Sequence, residues 1–357
     1  MDAPSPRPGR AADVAAIAWL SHARERVERD LDDLLVLPDE AGIDPRWSAA
    51  LGEARAFAAR PAKRLRPALV VLGWGAARGL AAVPDGVWRF AASLELLHTF
   101  LLIHDDVADG AAIRRGGPAL HRCLADGRRG EDLAVVVGDH LFARALEAML
   151  ESALPRAGEV ARYWLGVCRS TAAGQFLDLA LARTPLAEVT LFQTLRVGLL
   201  KTARYGFVAP LVGGARLAAA EPAVLRGLER VGRQVGVAFQ IRDDLLGLFG
   251  EPACTGKPVL DDLVAGKPTY PIVAAYARAP APVRADLDRL WSGGLDDPAG
   301  RARLLALVEA HGGRAAAERV IVHASRAAAR TLRALPVDAA VRALLDELIG
   351  MLAARAV

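Results

Sequence analysis

The chain has 357 residues, of which 53% are hydrophobic and 5% aromatic, and its formal net charge is +4. That apolar content excludes disorder as a description of the whole chain, and the richness in alanine, leucine and arginine favours helices over sheets. Basic residues are interspersed with acidic ones, without the concentrated basic stripe and aromatic platforms of a nucleic-acid binder. Cys123, Cys168 and Cys254 form no CxxC pair, so neither a cysteine-rich zinc site nor a disulfide framework is expected, and a reduced, cytoplasmic setting fits.

Residues 1–12, rich in proline and polar residues, read as a flexible tail without the apolar core of a secretory signal. Apolar and charged residues at helical spacing predict a helix over 13–36, ended by Pro38. Pro67 suits the first turn of the next helix, with 68–80 mostly buried. The most informative helix is expected over 87–109, closed by Gly110 and followed by the loop Arg114-Arg115-Gly116-Gly117-Pro118. The apolar run Leu94–Ile103 is interrupted by Glu95 and His98 and then meets two aspartates, which favours a buried helix over a membrane span. Long helices follow at 132–151 and 159–181, then one from Leu186 to Leu217 with a break near Pro210, and another over 222–249. Glycines and prolines mark a loop over 251–270, with surface turns at Pro280, Pro282 and Gly293–Gly300. The last helices are placed at 301–311, 313–334 and 337–354. With no sustained β-type alternation and no convincing linker, the expected fold is all-α: a single helical domain over 13–357.

His104-Asp105-Asp106-Val107-Ala108-Asp109 ends the apolar helix. Asp105 and Asp109 are four apart and share a helix face. Their repulsion costs about 0.2–0.5 kcal/mol in isolation, whereas magnesium turns it into attraction, since hard oxygens are its preferred ligands and substrate phosphates complete its shell. A solvated acidic helix end is the plain alternative. The apolar approach favours the metal reading, because it puts the carboxylates at the mouth of a greasy interior. Phe239-Gln240-Ile241-Arg242-Asp243-Asp244-Leu245-Leu246-Gly247 repeats the logic, with Gln240 and Asp243 three apart. Two such clusters facing one helical cavity would suit a diphosphate held by several metal ions. Lys63, Arg64, Arg66, Arg114, Arg115, Lys201, Lys257 and Lys267 stand beside glycine, proline or apolar segments, where bases can neutralise phosphate.

In order, these features resemble the trans-isoprenyl diphosphate synthases, also called the polyprenyl synthetase family, over roughly residues 60–275. Lys63-Arg64-Leu65-Arg66-Pro67 is similar to the family's basic substrate motif, with Pro61-Ala62 in place of the common glycine pair. His98, the first acidic cluster, Arg114–Pro118 and His121 match the first aspartate-rich region. Gly138-Asp139, Gly174-Gln175 with Asp178, and Lys201-Thr202 match intervening landmarks. Phe239-Gln240, Asp243-Asp244, Gly256-Lys257, Asp262-Leu263 and Gly266-Lys267 match the second region. Gly247 departs from the aspartate common there.

The resemblance implies an isoprenoid synthase-like helical bundle around a central apolar cavity. It implies a magnesium-dependent, head-to-tail condensation of isopentenyl diphosphate with an allylic diphosphate (dimethylallyl, geranyl or farnesyl), with three Mg2+ per active site. It also implies a homodimer. Asp105, Asp109 and Asp243 would hold the metal, and Arg114, Lys201, Gln240, Lys257 and Lys267 the allylic diphosphate. Lys63, Arg66, His98 and Arg115 would place isopentenyl diphosphate. Phe100 lies about 7.5 Å before Asp105 along the helix, and Leu97 and Ser93 continue its face, with Leu101 adjacent. This set would limit product length, favouring geranylgeranyl over farnesyl diphosphate. A class I terpene cyclase and a non-catalytic subunit of a heteromeric synthase are the alternatives. The first would not need the Lys63–Arg66 run; the second would fit the loss at Gly247.

Overall fold

The computed structural model describes residues 10–36, 42–250 and 260–354. They fall into two compact units. The first comprises residues up to 164 with 210–228 and 332–351, and the second 165–209, 229–331 and the residues from 352 onward.

In the first unit, α1 (Arg10–Leu34), α2 (Pro45–Ala59), α3 (Leu65–Arg78) and α6 (Gly127–Leu150) pack with α4 (Asp85–Asp109). α2 is not legible from periodicity, because its apolar stripe is short; Asp44 nonetheless caps it and Pro45 opens it, both ordinary helix-start chemistry. Along α4, Val87, Phe90, Ala91, Leu94, Leu96, Leu97 and Ile103 are buried. Residues 85–108 are long and apolar enough to cross a membrane by length and composition, and 67% of the window is buried inside the protein. The helix stops where Gly110 takes φ 65° and the Ala111 N–H reaches the Asp106 carbonyl at 2.9 Å, a left-handed C-cap that places Asp105, Asp106 and Asp109 in the last turn.

The expected loop after α4 is a hairpin, β1 (Ile113–Arg114) against β2 (Gly117–Pro118), with Arg114 opposite Gly117. Its two central residues, Arg115 and Gly116, both have positive φ, at 51° and 72°. That is the twist a two-residue hairpin turn requires. The hairpin leads into the short α5 (Leu120–Leu124).

The long α7 (Ala157–Leu181) spans the boundary of the two units in sequence, as does α10 (Pro222–Phe249). No break occurs near Pro210. Instead α8 (Leu191–Val197) passes into an eleven-residue π-helix, Gly198–Val208, and then α9 (Ala209–Leu217). In the second unit, α11 (Asp261–Val264), α12 (Tyr270–Arg278), α13 (Ala281–Gly293), α14 (Pro298–Ala310) and α15 (Gly313–Arg333) follow, and α16 (Ala339–Ala354) closes the described chain. Pro280 and Pro282, expected in a surface turn, are the N-cap and first turn of α13, where proline needs no helical N–H. Leu248, Leu263, Ile272, Leu287, Trp291, Leu304 and Val308 form one core cluster of this unit, and Ile241, Leu245, Tyr270, Ala317 and Ile321 another.

Candidate active site

In the first unit the three aspartates of α4 do different work. Asp106 is fully buried and accepts from Arg114, through Nε at 2.7 Å and through Nη2 at very short range. Arg114 Nη2 also lies 3.7 Å from Asp105. Burial alone would weaken the Arg114 charge, but the bond to Asp106 and the charges of Asp106, Asp105 and Asp109 outweigh it and raise its pKa. Asp105 and Asp109 remain partly exposed, one turn apart. All three carboxylates sit at the negative end of the helix dipole, a placement that disfavours anions and so favours a bound cation.

His104 is held from α6: its Nε2 lies 3.2 Å from the Val135 carbonyl and 3.5 Å from Asp139. Gly138 makes this possible, since a Cβ there would stand 2.6 Å from the imidazole. Phe100 stacks edgewise on His104 and tilts against Phe142, with centroid separations of 4.6 and 5.0 Å. Ser93 and Leu97 are fully buried, and the Ser93 hydroxyl donates to the Phe90 carbonyl.

Two basic residues of this unit, Arg64 and Arg115, converge on a carboxylate that in the sequence only interrupts an apolar run. Glu95, 1% exposed, pairs with Arg64 at 2.7 Å and with Arg115 at 3.5 Å. One turn on, His98 Nε2 is 3.0 Å from Arg66 Nη1. Burial holds the His98 pKa well below the usual value, and the positive charges of Arg66, Arg115, Arg114 and Arg64 add to that. His98 is therefore neutral near pH 7, and its Nε2 accepts from the Arg66 guanidinium. Burial likewise brings Arg115 down to about 10, against the support of Glu95. Lys63 is exposed. Arg60 is a second residue missed from the sequence: its Nη1 donates to the Arg114 and Pro118 carbonyls at 3.0 and 2.6 Å, bracing the hairpin.

In the second unit Lys201 lies on the π-helix, a backbone form that recurs at functional sites. Gly174 of α7 admits it, because a Cβ there would meet the Lys201 backbone nitrogen at 2.5 Å. Asp178 accepts from Lys201 at 2.8 Å and is 3.4 Å from Lys267, which is also 3.6 Å from Asp262. Thr202 donates to Gln240, Gln240 donates to Asp244 at 2.8 Å, and the Tyr270 N–H reaches the other Asp244 oxygen at 3.3 Å. Burial raises the Asp244 carboxyl to about 7, opposed by the Gln240 bond and helped by Asp262. Asp243 is exposed. A side chain at Gly247 would begin 3.6 Å from Asp262 Oδ2, so α11 brings a carboxylate beside the position where the common aspartate is missing. Lys257 lies outside the described residues.

Asp105 and Asp109 in the first unit, and Asp243 in the second, each offer the hard carboxylate oxygens that magnesium takes. Among the described residues there is no group of three or more His, Cys, Asp or Glu side chains that could hold a metal ion. Magnesium is ordinarily bound by one or two carboxylates with phosphates and water completing the shell.

The sequence profile of the polyprenyl synthetases matches residues 51–300. The chain belongs to the polyprenyl synthetase family. It is 36% identical over 221 residues to a short chain isoprenyl diphosphate synthase of Methanothermobacter thermautotrophicus, covering 61% of this chain and 64% of that one. Over 188 residues it is 40% identical to a geranylgeranyl diphosphate synthase of Mycobacterium tuberculosis, covering 52% and 51%. These alignments thus span between half and two thirds of the curated relatives. Relatives at similar identity are named for products from farnesyl to octaprenyl diphosphate. Among solved structures, a geranylgeranyl pyrophosphate synthase of Corynebacterium glutamicum, complexed with isoprenyl diphosphate and magnesium, superposes with a TM-score of 0.85 at 30% identity, over 95% of this chain and 99% of that one. The all-α polyprenyl synthetase fold is therefore shared.

Proposed function

We propose that this polyprenyl synthetase condenses isopentenyl diphosphate head to tail with an allylic diphosphate, releasing diphosphate and giving a short-chain all-trans product. The observation that carries the reading is the presence of two separately built basic groups, Arg66, His98 and Arg115 in one unit and Lys201 and Lys267 in the other. One diphosphate needs one such group; a two-substrate transferase needs both.

In this reading Asp105, Asp109 and Asp243 would hold magnesium, three ions with the diphosphate bound, and the metal would supply charge neutralisation for pyrophosphate. Arg114, Lys201, Gln240, Lys257 and Lys267 bind the allylic diphosphate and stabilise negative charge as the C–O bond ionises. Lys63, Arg66, His98 and Arg115 orient isopentenyl diphosphate so that its double bond meets the allylic carbon. His98 stays neutral and is an acceptor for Arg66, so it orients that guanidinium and takes no proton. An apolar surround excludes water from the cation.

Geranylgeranyl diphosphate is the product proposed, with Phe100, Leu97, Ser93 and Leu101 limiting chain length. The names of two of the similar proteins support it; the packing of Phe100 on Phe142 equally supports a purely structural ring, and farnesyl diphosphate is the neighbouring reading. A cytoplasmic homodimer completes the proposal. Calorimetric titration with magnesium, an unreactive thiolo analogue of the allylic diphosphate and then isopentenyl diphosphate tests it. Two diphosphates bound at once are expected; binding of one that excludes the other would point to a cyclase instead.

A further inference from the structure

Two basic segments of the first unit carry a residue whose backbone L-amino acids rarely adopt. Arg64, at the start of α3, has φ 46°, and Arg115, in the hairpin turn, has φ 51°. Neither is glycine, asparagine or aspartate, and a left-handed conformation in such a residue persists only where the surroundings over-determine it. Both guanidinium groups end on one acid. Glu95 Oε2 is 2.7 Å from Arg64 Nη1 and 3.5 Å from Arg115 Nη2. The Arg64 side chain is wholly buried, and it also donates to the Ala58 and Arg60 carbonyls at 2.8 and 3.2 Å. Arg64 therefore faces inward and is unavailable to a ligand, while Lys63 and Arg66 flank it. His98 stands three residues after Glu95 on the same face of α4. That helix grips the basic run at two points, Arg64 through Glu95 and Arg66 through His98.

Charge balance points the same way. Glu95 pairs with Arg64 and Arg115, with Glu28 as a second, half-exposed acid 3.4 Å from Arg64, and the charges of Arg66, Arg115, Arg114 and Arg64 all bear on neutral His98. Arg114 is nearby but spent on Asp106. The carboxylates leave positive charge in excess. In addition, Arg115 Nη1 is buried with no hydrogen-bond partner among the described residues, a donor that a diphosphate oxygen would satisfy.

We propose that Glu95 is a positioning residue for isopentenyl diphosphate: by holding Arg64 and Arg115 in their left-handed turns it sets where Lys63, Arg66 and the remaining Arg115 donors point, while leaving the cluster short of the negative charge the substrate brings. This rests on the two-diphosphate reading above.

The test uses the full-length enzyme, steady-state kinetics with each substrate varied in turn, and thermal melting. Glu95→Gln keeps the shape and removes the charge. It should raise KM for isopentenyl diphosphate at least tenfold while moving KM for the allylic substrate less than twofold. The double variant Glu95→Gln/Arg64→Gln leaves no uncompensated charge at that pair. If Glu95 positions the substrate, the double variant recovers the melting temperature but not the isopentenyl KM. Recovery of both would show an ordinary buried ion pair and overturn the proposal. Equal rises in both KM values, or failure of both variants to fold, would place Glu95 in the scaffold alone and overturn it too. A wild-type enzyme that condenses no pair of substrates would instead remove the reading on which the inference stands.

Discussion

Arg64 and Arg66 illustrate how one residue type serves two ends around α4, the first held inward by Glu95 and the second beside His98. Arg66 pairs with neutral His98 and in the proposed reading grips isopentenyl diphosphate, so Arg66→Ala should raise the isopentenyl diphosphate KM about tenfold to a hundredfold, the loss of one charge-assisted bond, with the allylic KM little changed. Titrating each substrate separately checks this; an effect confined to the allylic substrate would reject the role. Asp105→Ala and Asp243→Ala should each cut turnover about a hundredfold or more while circular dichroism stays helical, because neither side chain is in a core. Near-normal turnover in both would refute the metal assignment. At Gly247 the neighbouring Asp262 decides the expectation. Gly247→Asp should melt below wild type in chelator, from repulsion between the two carboxylates, and gain more than wild type on adding magnesium and inorganic diphosphate. Identical gains would deny any metal contact to that position. His98 gives a pH dependence whose sign is fixed: its folded pKa lies below the ordinary 6.5, so the unfolded chain binds more protons between the two values. Its contribution is complete above about pH 6.5 and is lost as pH falls below it. Denaturant unfolding of His98→Gln across pH 5–8 should show a shallower acid-side loss than wild type.

Elements and their joints account for what could be read from residues alone and what could not. The long helices over α1, α4, α6, α7 and α10 were legible because their apolar spacing runs for several turns, and the ordered acidic and basic motifs were legible because their spacing is covalent. Glu95 and Arg60 were not: a single acid in an apolar run has no periodic signature, and its role depends on Arg64 and Arg115 being brought to it by folding. The hairpin is not legible in the sequence because Arg115 occupies a turn position usually held by glycine, asparagine or aspartate. Pro210, which reads in the sequence as a break, lies in the first turn of α9 directly after the π-helix, where proline is tolerated. That π-helix is a testable joint. Gly174→Ala would put a methyl 2.5 Å from the Lys201 backbone nitrogen; overpacking of this kind costs about 1–3 kcal/mol. It should lower the melting temperature and raise the allylic KM, and an allylic KM unchanged in the folded variant would show that Lys201 tolerates displacement.

For the whole molecule, membership of the polyprenyl synthetases and the all-α fold follow from the matched residues 51–300 and from the shared structure. Product length belongs to this scale as well, because it depends on how much hydrocarbon the folded chain accommodates. Phe100→Ala should shift the products toward longer chains if the ring limits growth, and it should also cost stability by removing contacts with His104 and Phe142. An unchanged distribution from a folded, active variant would place the limit elsewhere. The central claim is the condensation itself. It is tested most directly by incubating the purified chain with magnesium, radiolabelled isopentenyl diphosphate and, separately, dimethylallyl, geranyl and farnesyl diphosphate, then dephosphorylating and chromatographing the products. The account predicts label in linear prenyl alcohols longer than the acceptor by whole five-carbon units, abolished by chelator. Cyclised hydrocarbon formed without incorporation of label, or no labelled product from any acceptor by a fully helical protein, would contradict it.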